Sequence, residues 1–175
     1  MFTVNIAATD SQASVNEDVV GHSGNAAWII DGATGLGAAL LEAPSDAAWL
    51  AQTIDAALRK LLAIDPMMAT PTLVRRVILT CRDALEAGAI QTADGPHEHP
   101  SAAFVMLRNF GDHLELAGLA DCAIAYVDDA GEARVFGDTS LENVEKRTLD
   151  LAHAILTAEP DISSAALFQR LLPQL

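Results

Sequence analysis

Cations are scarce in this chain, which carries 10 Lys and Arg against 24 Asp and Glu, a formal charge of −14. Phosphate backbones attract Lys and Arg and repel such a surface, so nucleic-acid binding is excluded as a function class. Cysteine is scarcer still: Cys81 and Cys122 stand far apart and define no disulfide framework. Aromatic residues make up 5% of a sequence that is 51% apolar, which predicts a core of small residues rich in Ala and Leu. No apolar run reaches the length of a membrane-spanning helix. The opening MFTVNIAATD lacks the basic segment and apolar stretch of a secretory leader, so a cytoplasmic location is expected. Repeats, linkers and low-complexity segments are also missing.

What is present fits one folded domain over residues 1–175, long enough to bury about 70% of its unfolded surface. The acidic surplus keeps such a domain soluble, and an acidic face also concentrates cations or basic protein segments.

Phe2 to Ala8 alternates as a strand does, and Ala26 to Asp31 is an apolar run that suits a strand covered on both faces. Ser45 and Asp46 open a helix as cap and first-turn acid, with Trp49, Leu50, Ile54, Leu58, Leu61 and Leu62 at helical spacing. Thr70-Pro71 opens a second as cap and first-turn proline, with Leu73, Val77, Cys81 and Leu85 along one face and Gly88 at its end. After the loop QTADGPHEHP the period changes to two. Ala103–Asn109, His113–Leu119, Cys122–Val127 and Ala133–Phe136 read as a meander of hairpins. Helices return over Leu141–Ala158 and Ile162–Leu172, with Asp161 as a cap. The class is α+β.

Three acids frame the first strands: Glu17, Asp18 and Asp31. Mg²⁺ and Mn²⁺ prefer carboxylate, carbonyl and water oxygens, and a strand ending in Asp31-Gly32 offers such donors. Asp-Gly is equally a turn dipeptide. Spacing alone leaves both readings open.

Taken in order, Asn16-Glu17-Asp18, Ile29-Ile30-Asp31-Gly32-Ala33 and LAGLADCAIAYVDDAGE (Leu116 to Glu132) resemble the metal-dependent serine/threonine protein phosphatases of type 2C. That family shows an Asn-Glu-Asp segment, an apolar strand ending in Asp-Gly, two helices, and a strand ending in Gly-Asp-Ser before a hairpin. The resemblance runs from about Phe2 to Leu151. It implies antiparallel sheets packed as a sandwich and flanked by helices. It also implies two Mg²⁺ or Mn²⁺ ions, with a third at an additional site. On this reading Asp31 bridges the two ions, the Gly32 carbonyl binds one, and Glu17 and Asp18 contact them directly or through water. Asp18 and Asp31 are then the catalytic acids, and Asp121 helps hold the additional metal. The implied chemistry is hydrolysis of phosphoserine or phosphothreonine esters in proteins by a metal-bridged water, without a covalent phosphoenzyme.

Three features depart from the family pattern. An arginine that often precedes the Asn-Glu-Asp segment is matched by Ala13, and Gly-Asp-Ser reads Ala120-Asp121-Cys122. The second Asp-Gly and the final Asp of the family have no match before Leu175, and Asp138, Asp150 and Asp161 do not replace them. The sandwich is therefore expected to be incomplete, lacking the family's C-terminal part and leaving an apolar sheet face that a second copy or a further segment would cover. The alternative function is a catalytically inactive relative that binds a protein partner. A phosphoprotein substrate or a protein partner is expected in either case, with no nucleic acid and no membrane.

The remaining chemistry-bearing residues point elsewhere. His97-Glu98-His99 between two prolines reads as a solvated loop, and His22, His113 and His153 are isolated. DGATGLG lacks the Lys-Ser/Thr of a phosphate-binding loop. Neither Cys81 nor Ser101 sits in a nucleophile elbow, and Cys81 belongs to a helix's apolar stripe.

Overall fold

The computed structural model describes residues 3–11, 13–137 and 142–172. They form two compact units, Met1–Gly137 and Asp138–Leu175.

The first unit begins with an extended, exposed segment. The strand expected over Phe2–Ala8 is absent from residues 3–8 (Phe2 lies outside the described residues), and Ile6 is 85% exposed. Alternation marks a chain that can pair, but among the described residues this segment joins no sheet. The first strands are β1 (Asp18–Ser23) and β2 (Ala26–Ala33), joined by Gly24-Asn25. Gly24 has φ +56°, the first turn position of a two-residue hairpin that only glycine fills readily.

Helices α1 (Asp46–Ile64) and α2 (Thr70–Gly88) follow, then a short 3₁₀ turn at Pro96–Glu98. Ser45 caps α1 as expected, accepting the Ala48 N–H at 3.2 Å. Thr70 does not cap α2. Ala69 holds that position, and the Thr70 hydroxyl turns instead to Glu115. Strands β3 (Ser101–Asn109) and β4 (Leu114–Leu119) complete an antiparallel sheet in the order β1-β2-β3-β4.

The expected meander breaks after β4. Strands β5 (Ala123–Val127) and β6 (Ala133–Gly137) pair only with each other, in a second sheet. Ala120 makes the break, with φ +63° in the left-handed region that L side chains rarely adopt.

The first sheet has two unlike faces. Trp28, Ile30 and Met106 point toward α1 and α2 and are buried with Leu58, Leu62, Leu73 and Val77. Each such side chain removed from water contributes about 1.5–3 kcal/mol. Gly21 makes room for Trp28: a Cβ there would lie 2.2 Å from the indole nitrogen, which donates to Asp55 at 3.0 Å. Cys81 sits in this core as expected, where burial pushes its thiol up to about 11.

The other face is not covered as the apolar run in β2 suggested. The β5–β6 hairpin supplies only two strands: Ile124 lines one cavity with Val20, Val105 and Leu107, and Val105 is 1% exposed, but Ile29 remains 42% exposed.

The second unit contains α3 (Glu142–Ala158) and α4 (Ser164–Leu171). The residue expected just before α3, Leu141, lies outside the described residues, as does Asp138. Ser163, not Asp161, caps α4 by accepting the Ala166 N–H at 3.2 Å. A two-pronged ion pair from Arg170 to Glu159, at 2.7 and 3.0 Å, ties the helices together. No helix among the described residues is long and apolar enough to cross a membrane.

Candidate metal centre

The β1–β2 turn decides where the acids lie. With two turn residues, Ser23 pairs with Ala26, and the register runs outward until Asp18 stands opposite Asp31. Residues directly opposite share a face, so both acids lie on the side away from α1 and α2. A slip of one residue would send one of them to the helix side.

The strand crossing at Ala120 delivers a third acid. Asp18, Asp31, Asp121 and Cys122 line one cavity of about 330 Å³ with Ala8, Thr9, Val20 and Ile29. No Lys or Arg is among these residues. The Asp31 carboxyl is held above the usual carboxylate range, first by partial burial, then by the Asp18 charge and a shared hydrogen bond with it, then by the charges of Asp121 and Glu17. Like charges face each other here without a counter-ion.

The three residues of Asn16-Glu17-Asp18 do separate work. Asn16 accepts the Asp18 N–H at 2.9 Å, and its amide donates to the Thr9 hydroxyl at 2.6 Å, fastening one cavity wall to the start of β1. Asp18 faces Asp31. Glu17 is not brought into their cavity. Its carboxylate accepts the hydroxyls of Thr34, at 3.0 Å, and Ser45, and it lines a separate cavity of about 410 Å³ by the α1 N-terminus. Ala13, the position matched to the family's arginine, lies in that second cavity too.

Gly32 is buried, and its N–H donates to the Glu17 carbonyl at 3.2 Å. A Cβ there would lie 2.8 Å from that carbonyl oxygen and 2.9 Å from the Ala47 carbonyl oxygen. Close approach of α1 therefore demands a glycine, whatever the Gly32 carbonyl binds.

The sequence singled out neither Thr9 nor Thr34, and it offered Asn16 and Cys122 only as motif members and Ser45 only as a helix cap, not as partners of the acids. Their hydroxyl, amide and thiol groups acquire meaning only through partners distant in the chain. Cys122 stands half-buried beside the acids, and its thiol is pushed up by burial, then by the charges of Asp31 and Asp121. His97-Glu98-His99 forms no metal cluster: Glu98 accepts the Asp94 N–H at 2.7 Å, and the His97 carbonyl accepts the Leu36 N–H at 2.7 Å, pinning the glycine-containing loop after β2.

Carboxylate oxygens crowded together without a cation suit Mg²⁺ or Mn²⁺. Among the described residues, no three His, Cys, Asp or Glu side chains converge closely enough to enclose an ion. An ion here would take a carboxylate or two and keep several waters, as Mg²⁺ usually does.

No protein-family model matches the chain, and no curated protein sequence matches it. Among solved structures, it is similar to the serine/threonine phosphatase PstP/Ppp of Mycobacterium tuberculosis, with 17% sequence identity and a TM-score of 0.55. The match covers 85% of this chain and 61% of that one, so the chain spans less than two thirds of that phosphatase structure. At this identity the likeness concerns the fold. The architecture is the partial type 2C phosphatase-like α+β fold expected from the sequence motifs.

Proposed function

We propose that the chain is a metal-dependent phosphomonoester hydrolase acting on phosphoserine and phosphothreonine in proteins, or the N-terminal part of one. The observation that carries this reading is the pairing of Asp18 with Asp31 across β1 and β2, with Asp121 brought to the same cavity. Asp18, Asp31 and Asp121 would hold Mg²⁺ or Mn²⁺, and the Gly32 carbonyl is assigned to the same ions. Bound there, two such ions would supply a water of lowered pKa and neutralise phosphoryl oxygens. Asp18 and Asp31 would hold the ions at the separation their register fixes, and Val20 and Ile29 line the same cavity. No cationic side chain lines the cavity to take up phosphate, so substrate binding relies on the metals. A cytoplasmic location belongs to the same proposal and agrees with two free thiols, Cys81 and Cys122.

A second reading, a catalytically inactive phosphatase-like module that binds a protein partner, is favoured by one observation: the described acids do not enclose an ion on their own. Hydrolysis of p-nitrophenyl phosphate and of phosphoserine and phosphothreonine peptides, with Mn²⁺ and with chelator, decides between them. The first reading predicts Mn²⁺-dependent turnover that Asp31→Asn abolishes. Turnover equal in Asp31→Asn, or absent both from this chain and from a version extended past Leu175, contradicts it; turnover in the extended version alone identifies the chain as the N-terminal part of such an enzyme.

A further inference from the structure

Glu17 touches three separate elements through one residue. Its carbonyl receives the Gly32 N–H at the end of β2, and its carboxylate receives the Thr34 hydroxyl just beyond that strand. The same carboxylate oxygen, Oε1, receives the Ser45 hydroxyl, which itself caps α1 and lies 3.2 Å from the Thr34 hydroxyl. Asp18 follows Glu17 in the chain, and Asp31 precedes Gly32. The clamp therefore grips both strands at the residues adjoining the two facing acids, from the opposite side of the sheet. Without the carboxylate, the backbone pairing of β1 with β2 and the Gly32 N–H bond to the Glu17 carbonyl remain, but the side-chain tie from the start of β1 to Thr34 and to the α1 cap is lost. The separation of the Asp18 and Asp31 carboxylates would change with it.

We infer that Glu17 is a positioning residue: it sets the spacing of Asp18 and Asp31 through Thr34, Ser45 and Gly32, and does not itself ligate the metal. This rests on the proposal that those acids bind Mg²⁺ or Mn²⁺. Both hydroxyls go to Oε1, so glutamine can supply the same acceptor without the charge. A ligand would need that charge; a clamp needs only the oxygen.

The test is calorimetric titration of the 175-residue chain with Mn²⁺, alongside thermal melts. Glu17→Gln is expected to keep Mn²⁺ affinity within about twofold of the parent, whereas Glu17→Ala weakens it about tenfold, the lower end of the effect of losing an outer partner of a metal ligand. Asp31→Asn is expected to abolish saturable binding. Glu17→Gln falling as far as Glu17→Ala would overturn the inference, because the charge would then be what matters. Glu17→Ala with unchanged Mn²⁺ affinity and only a lowered melting temperature would overturn it too, reducing the clamp to a stabilising contact. Asp31→Asn with affinity equal to the parent would instead remove the metal reading itself, and the role of Glu17 with it.

Discussion

The two ends of the four-stranded sheet treat charge in opposite ways. At one end, the Arg108 side chain points toward the helices and is 0% exposed, the most deeply buried charge described. Its guanidinium donates to the carbonyls of Pro66 and Met68, at 2.9 and 2.6 Å, and to the Thr70 hydroxyl at 2.7 Å, and it stacks 4.5 Å above the Phe110 ring. Thr70 passes its own hydrogen to Glu115, the register partner of Arg108 on β4. Only Nε has no partner. At the other end, Asp18 and Asp31 face each other with Asp121 nearby and no cation lining the cavity. A buried charge surrounded by acceptors fixes the α1–α2 connection to the sheet. An unbalanced acid pair weakens the apo fold and favours a ligand that brings positive charge.

Breaking the balanced end should have the largest effect. Arg108→Met strands Glu115 and three oxygen acceptors, and is expected to cost about 3 kcal/mol, read as a lowered urea midpoint at unchanged slope. At the acid end, Gly32→Ala drives a methyl into the Glu17 and Ala47 carbonyl oxygens, costing about 1–3 kcal/mol by the same measurement.

Asp31→Asn goes the other way. Removing one of two facing charges should stabilise the metal-free chain, by about 0.2–1 kcal/mol at neutral pH. The sign follows from proton linkage. A folded-state carboxyl above its unfolded value binds protons more readily when folded, so parent stability falls as pH rises from the usual carboxylate value through the raised one, then levels. In Asp31→Asn that contribution to the slope should disappear, as melts in chelator across this window would show. A slope of the same size in the variant would mean that Asp31 does not titrate above its unfolded value. An effect of similar size is expected at the crossing that delivers Asp121: Ala120→Gly should gain about 0.5 kcal/mol, because glycine accepts φ +63° without strain.

Much of this contrast was legible in the sequence, and unevenly. Ser45 and the Leu58–Leu62 spacing announced α1 because capping and period are local signals. The strand Asp18–Ser23 and the two-residue turn Gly24-Asn25 that sets Asp18 opposite Asp31 were not read from the sequence, because a six-residue strand holding a glycine, a histidine and an acid shows no clear alternation. The break between β4 and β5 was hidden because Ala120 gives no sign of a left-handed backbone, though it stands where the family motif has glycine. Thr70 looked like a cap for want of any hint that Arg108 and Glu115 would claim it. Arg108 itself had a signal: it continues the inward series Phe104, Met106, Arg108 on β3, a position where a cation must find acceptors. Phe2–Ala8 misled because a strand pattern carries no information about whether a partner exists. For the same reason Ile29 was expected under cover that two strands do not supply.

The account depends on a divalent ion satisfying the acid pair. A crystal of the chain soaked in Mn²⁺ and mapped at the manganese absorption edge tests this most directly. The account predicts an anomalous peak within coordination distance of both the Asp18 and Asp31 carboxylates, with Asp121 on the same side and Glu17 still bonded to Ser45 and Thr34. A map with no peak in that cavity, or manganese bound only elsewhere on the acidic surface, would contradict it.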